Sequence, residues 1–262
     1  MEFTKEHLDA YHRDGYVVVR NFFSGPEIDL LYKMATEDDV MSKKSYDRTD
    51  ASGLKTKLAL WYALDESLYS KFSRSERIVT AVEQILGGKA AHYHSKLMQK
   101  EPRKGGAWEW HQDYGYWYKN NGFLLPEMLS VLTALTPATK ENGCLQMIRG
   151  SHKMGRVEHG FAGEQVGADM EKVSQALKIM ELDYLEMDAG DTAFFHCNTL
   201  HASAANLSDK PRWSIITAYN LASNKPYKDI HESSYTPIEA FKGDLLKEEI
   251  LSISNDADFL VK

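Results

Sequence analysis

Two short segments about 90 residues apart carry the side chains best suited to chemistry. The first, Trp110-His111-Gln112-Asp113-Tyr114, offers an imidazole and a carboxylate on alternate residues. The second runs from Gly190-Asp191-Thr192-Ala193-Phe194-Phe195-His196 through His201-Ala202-Ser203 to Arg212, which puts a guanidinium eleven residues after an imidazole. In an extended strand, residues i and i+2 share a face, so His111 and Asp113 can converge on one ion while Gln112 faces away. Alone, His-x-Asp is a weak signal. Joined by an imidazole from another strand, it becomes two nitrogens and one carboxylate with open coordination positions, the donor set of a non-haem Fe(II) oxygenase. The planar fork of Arg212 suits the distal carboxylate of a dicarboxylic cosubstrate.

His196 and His201 compete for the third ligand position. His201 is favoured because it opens His201-Ala202-Ser203-Ala204-Ala205-Asn206, whose small side chains permit close approach. His196 ends an apolar run and reads as a buried or supporting histidine. His7 and His12 fall on a first helix, and His92 and His94 share a strand face without a third ligand nearby in sequence. His152, His159 and His231 fall in loops, with His152 and His231 the best placed to approach a pocket. Structural zinc would call for four ligands rich in sulfur, and the two cysteines, Cys144 and Cys197, have no such spacing. A hydrolytic zinc centre would leave Arg212 without a purpose.

These residues stand in an order that resembles the phytanoyl-CoA dioxygenase family of Fe(II)/2-oxoglutarate-dependent oxygenases, and ectoine hydroxylase within it. The resemblance begins at Asp14-Gly15-Tyr16-Val17-Val18-Val19 and continues through Ser95–Lys100 and His111-Gln112-Asp113. It then takes in Glu141-Asn142-Gly143-Cys144-Leu145, Arg149-Gly150-Ser151-His152, and the segment from Gly190 to Arg212. It implies a double-stranded β-helix, a jelly roll of the cupin-like kind, with iron held by His111, Asp113 and His201. It also implies 2-oxoglutarate bound by Arg212 and Ser203, with Gln99, Lys96 and Thr133 lining it, and O2 consumed as succinate and CO2 leave. The carboxylate of Asp113 argues against halogenation, since halogenating relatives carry a small residue there. Two other readings remain open: a sensor that binds metal or 2-oxoglutarate without turnover, and a divalent-metal hydrolase.

The elements that must position this chemistry follow from patterning. Thr4 is an N-cap for a helix that stops near Asp14-Gly15, and Tyr16–Phe22 reads as a strand rich in β-branched residues. Pro26 sits in the first turn of a second helix, and Arg74–Leu86 has helical apolar spacing ended by Gly87-Gly88. Extended segments follow at Ala90–Lys100, Trp110–Tyr118, Met128–Thr136, Cys144–Arg149, Tyr184–Met187, Thr192–His196 and Arg212–Asn220, interrupted by a helix near Asp169–Leu182. The expectation is one domain spanning 1–262: helical support over 1–88, a jelly-roll core over 89–222 and a tail over 223–262, mainly β with flanking helices. The polar stretches 37–57 and 224–236 are expected to be lids.

Composition bounds the partners. A net charge of −7 argues against a nucleic-acid polyanion. No apolar run spans a bilayer, and Met1-Glu2-Phe3-Thr4-Lys5-Glu6 is not a signal peptide. With so few cysteines, a reducing cytoplasm is the expected compartment. The expected partner is a small-molecule substrate. The crowd of Trp108, Trp110, Tyr114, Tyr116, Trp117 and Tyr118 around His-x-Asp suggests an aromatic pocket, with Tyr116 and Trp117 as substrate contacts. Oligomeric state is not legible.

Overall fold

The computed structural model describes residues 2–162 and 164–249. The end of the expected C-terminal tail, 250–262, lies outside the described residues. Two antiparallel sheets face each other as a jelly roll, flanked by helices.

The N-terminal part follows the local signals closely. Helix α1 (Lys5–Asp14) is capped by Thr4, whose hydroxyl accepts from the His7 N–H, and Gly15 ends it in the left-handed region. Strand β1 (Tyr16–Val19) follows, then α2 (Gly25–Glu37), where Ser24 and Glu27 close a capping box. The polar stretch 37–57, expected to be a loop, instead holds a short α3 (Val40–Lys43), β2 (Tyr46–Thr49) and the start of β3 (Lys55–Trp61). The reason is periodicity hidden by polar composition: Tyr46, Leu58 and Leu60 face inward with Met98, while Asp47, Lys55 and Lys57 form exposed or half-buried ion pairs. Two helices, α4 (Leu68–Ser73) and α5 (Glu76–Leu86), precede the sheet core.

Strand β4 (Ala90–Lys100) has the expected bounds, and its partner β13 (Arg212–Leu221) runs along its whole length. With β6 (Met128–Ala134) and β11 (Thr192–His196) they build the seven-stranded sheet β1-β11-β6-β13-β4-β3-β2. Its outer face carries Leu97, Leu129, Val131, Phe194, Trp213 and Ile215, packed under α1, α2, α4 and α5 in the main core. Its inner face carries the side chains that matter below. The smaller sheet, β10-β7-β12-β5, covers that inner face with β5 (Trp108–His111), β7 (Leu145–Ile148), β10 (Leu182–Leu185) and the short β12 (His201–Ser203). A hairpin of β8 (His159–Ala162) and β9 (Gln165–Ala168) leads into α7 (Met170–Ile179), which Asp169 caps.

One expected strand is corrected. Trp110–Tyr118 is extended only to His111; Asp113–Tyr116 forms a helical turn, α6, continued by a π-helical turn over Trp117–Asn121. Tertiary contacts override the β propensity of the aromatic run. Tyr114 donates its N–H to the Cys197 carbonyl and its hydroxyl to the Phe123 carbonyl, and Tyr114 and Trp117, three apart, pack together with Tyr93 and Phe123. Gly115 is required at this turn: a Cβ there would lie 2.1 Å from the His159 ring.

Candidate metal and cosubstrate site

His111 and His201 are direct register partners on β5 and β12, and their ring centroids lie 4.0 Å apart. Asp113 joins them from the first position of α6, with Oδ1 3.7 Å from His111 Nε2. One ligand atom from each of the three lies within 4.8 Å of the others, the one such group found among the described residues. Each imidazole is tied by its other nitrogen to a backbone carbonyl two residues earlier. His111 Nδ1 bonds Glu109 O at 2.8 Å and His201 Nδ1 bonds Thr199 O at 2.9 Å. Donating there fixes Nδ1–H and turns both Nε2 lone pairs to the shared space. Asp113 is likewise half committed: Oδ2 accepts from Ser130 Oγ at 2.6 Å, which leaves Oδ1 on the imidazole side.

The electrostatics suit a cation. Burial raises the Asp113 carboxyl, but positive charge at the neighbouring His111 and His201 positions outweighs it and holds the group well below the usual range. Burial, then repulsion from His111, draws His201 down to about 3, so its ring is neutral and able to ligate at neutral pH. His196, the competitor, lies elsewhere: its ring is tilted against His152 and Tyr11, and its Nδ1 accepts the Asn198 N–H.

Gln112 does face away from this cluster and does more than fill space. Fully buried, it donates to Gly155 O and Asn198 O at 2.7 Å each, accepts the Val157 N–H, and gives its own backbone N–H to His159 Nε2. It thereby ties the His111 segment to the loop that leads into β12 and His201.

Behind the triad lies an inner cavity lined by Lys96, Met98, Ser130, Leu132, Leu145, Phe195, Ala202, Ser203, Arg212 and Ile216. Its far end is cationic. Arg212, on β13, is buried and donates to Gly143 O, while its Nε has no partner. Gly143 itself packs against the segment after Ser203: its φ is +78° and a Cβ would lie 2.1 Å from Ala204 O. Burial lowers the guanidinium only to about 10, so it stays charged. Lys100, opposite Arg212 in the β4–β13 register, is fully buried and reaches Ser203 Oγ at 2.8 Å and Ala204 O at 2.5 Å. Since Ser203 Oγ accepts from that ammonium, its own proton is free for a ligand. Burial, then the Arg212 charge, pulls Lys100 well below its usual range. A buried guanidinium with an orphaned N–H, a buried lysine beside it and, among the described residues, no carboxylate within 4.0 Å fit an anionic group, such as the end of a dicarboxylate.

The sequence reading of the cosubstrate lining needs two corrections. Lys96 lines the cavity, but Gln99 and Thr133 lie on the outer face of the large sheet. On β4 the inner face is His94, Lys96, Met98 and Lys100; on β6 it is Ser130, Leu132 and Ala134. Each misplaced residue is one position out, and a one-residue slip reverses the face. Thr133 instead pairs with Thr192 Oγ1 at 2.9 Å. Lys100 lay in the resembling stretch Ser95–Lys100 without a role, although it shares strand parity with Lys96, and Ser130 carried no motif.

An outer chamber opens on the other side of the triad, lined by Tyr46, Arg48, Leu58, Leu60, Tyr62, Tyr93, His94, Lys96, Trp108, Tyr116, Trp117 and His159, among others. Tyr116 is half exposed and Trp117 is buried against Tyr93 at 5.2 Å, so Trp117 is mainly packing. His152 packs on α1, with Nε2 at the His12 carbonyl, and lines neither cavity. His231 stacks on Tyr62 at 4.6 Å and, as expected, lines a cavity, a separate recess shared with Tyr62, Tyr93 and Asp229.

Comparison with known proteins agrees with this architecture. The chain is 27% identical over 235 residues to the ectoine dioxygenase of Stutzerimonas stutzeri, covering 84% of this chain and 77% of that one. It is 28% identical over 237 residues to the L-proline trans-4-hydroxylase of Streptomyces griseoviridis, covering 84% and 88%. The crystal structure of EctD from S. alaskensis with bound Fe superimposes with a TM-score of 0.78 at 21% identity, over 93% of this chain and 89% of that one. A family model described as Phytanoyl-CoA dioxygenase (PhyH) matches residues 11–214, and the chain belongs to that family.

Proposed function

We propose that the protein is an Fe(II)- and 2-oxoglutarate-dependent dioxygenase that hydroxylates a small organic molecule. The observation that carries this reading is the convergence of two imidazoles and a carboxylate, each with its second polar atom already tied, at the head of a cavity that ends in buried cations. His111, Asp113 and His201 would hold the metal, while Arg212 and Ser203 would hold the distal carboxylate of 2-oxoglutarate. Relatives named for dioxygenation of ectoine and trans-4-hydroxylation of L-proline support a small substrate. Bound together, Fe(II) and 2-oxoglutarate supply an O2-derived oxidant as the oxo acid is converted to succinate and CO2.

The protein's own contribution is geometric. The carbonyls of Glu109 and Thr199 fix the imidazole tautomers, Ser130 selects which Asp113 oxygen is offered, and Met98, Leu132, Phe195 and Ile216 exclude water from the inner cavity. Among the described residues no helix is long and apolar enough to cross a membrane, and both cysteines are free and buried, which supports a cytoplasmic site of action. Succinate release should depend on both Fe(II) and 2-oxoglutarate, and Asp113→Ala or His201→Ala should abolish it together with metal binding. Full succinate release by either variant would rule the reading out.

A further inference from the structure

The outer chamber holds a guanidinium, Arg48, that lines it but not the inner cavity. Tyr46 and Arg48 lie on one face of the edge strand β2 and both line the chamber, and the Arg48 guanidinium sits 4.9 Å above the Tyr46 ring. Lys96 stands two strands away, at the seam of the two cavities. Among the described residues, neither cation has a carboxylate within 4.0 Å. The acids facing the chamber are already engaged. Asp113 belongs to the triad and to Ser130, and Glu164 is exposed, accepts the Thr49 N–H at 3.1 Å, and feels Arg48 only at longer range. Half-buried cations whose nearest carboxylates are engaged by other groups favour an anion.

That anion is not the cosubstrate's distal end, which has Arg212, Ser203 and Lys100 at the opposite end of the inner cavity, and Arg48 does not reach that cavity. The phenols of Tyr46, Tyr62 and Tyr116 add hydrogen-bond donors on the same side, and Trp108 gives a flat apolar wall beside His111. A planar fork over an aromatic ring is suited to a carboxylate held bidentately.

We infer that the outer chamber selects a substrate bearing an anionic head, a carboxylate or a phosphate, which Arg48 grips with Lys96 in support, while its apolar body lies against Trp108 beside the metal triad. The inference rests on the proposed function and names the substrate class of that same site.

The test uses full-length protein loaded anaerobically with Fe(II) and 2-oxoglutarate, followed through the visible charge-transfer band of the chelated oxo acid. A panel of small cyclic carboxylates is added, L-proline among them, each with its primary amide and, where one exists, a matched phosphate monoester. At least one acid or phosphate should shift the band, binding tenfold or more tightly than its amide, and its head group identifies the source. Arg48→Gln should erase that preference and Arg48→Lys should keep part of it, with the melting temperature and 2-oxoglutarate affinity of each variant as controls on folding. Equal binding of acids and amides, an Arg48→Gln variant that keeps the preference, or a panel without an anionic binder would each overturn the inference. Absence of the band in the wild-type protein would instead strike the underlying reading, so the two failures are distinguishable.

Discussion

Replacing Ser130 by alanine isolates one interaction at the metal centre without touching a ligand. Ser130 is buried on β6 and gives its hydroxyl proton to Asp113 Oδ2 at 2.6 Å, a short charge-assisted bond. Such bonds to charged groups contribute about 1.5–3 kcal/mol. Converted at 1.4 kcal/mol per decade, that is roughly a 10–100-fold loss of metal affinity. Outer-shell partners of metal ligands independently carry a cost of about the same 10–100-fold. Removing the hydroxyl also frees Oδ2, so the carboxylate can rotate and the fixed offering of Oδ1 is lost. The expected outcome is therefore weaker Mn(II) or Fe(II) binding, measured by calorimetric titration at fixed pH. The cavity left by one oxygen is small, and the melting temperature should move by only a few degrees. Affinity unchanged within threefold in a folded Ser130→Ala protein would refute the claim that this bond orients the ligand.

Two further outcomes follow from the same geometry. Thr133→Val removes the bond to buried Thr192 on the outer face of the large sheet, so it should cost roughly 1–3 kcal/mol of stability, read by denaturant unfolding, while 2-oxoglutarate affinity stays at the wild-type value; a tenfold weaker affinity would place Thr133 inside the cavity after all. Burial, then His152 and His12, draws His196 down to about 4, so the folded state prefers the neutral ring. The unfolded chain therefore binds the proton first as pH falls below about 6.5, and this contribution, about 3 kcal/mol at most, is full above that pH and is lost toward pH 4. His196→Asn should accordingly flatten the fall of melting temperature between pH 6.5 and 4, and an unchanged slope would contradict the assignment.

Much of the candidate site was legible because ligands must be particular residue types. Only His, Asp and Arg supply the necessary chemistry, and at 111, 113, 201 and 212 they stand in a recognisable order. Helix ends were equally readable at Thr4, Gly15, Ser24 and Gly87, where capping is a local event between residues close in sequence. Legibility failed where a neighbour distant in sequence decided the outcome. The β2–β3 pair looked like a polar loop because it forms an edge, with charged residues on its outer side and Tyr46, Leu58 and Leu60 turned in. Gln99 and Thr133 were misplaced by one position, because strand parity is set by pairing with β13 and β11. The aromatic run after His111 looked extended and is helical, since the carbonyls of Cys197 and Phe123 claim Tyr114.

The amino-acid order alone determined which groups could bind iron and a dicarboxylate, because donor type and charge belong to each side chain wherever it sits. It also determined the short-range punctuation of helices, which needs only a few neighbouring residues. Tertiary structure alone decided that Lys100 stands beside Arg212 and that Arg48 faces a chamber instead of solvent. Those outcomes depend on register between strands far apart in the chain, and register is set by burying one face of every strand at once.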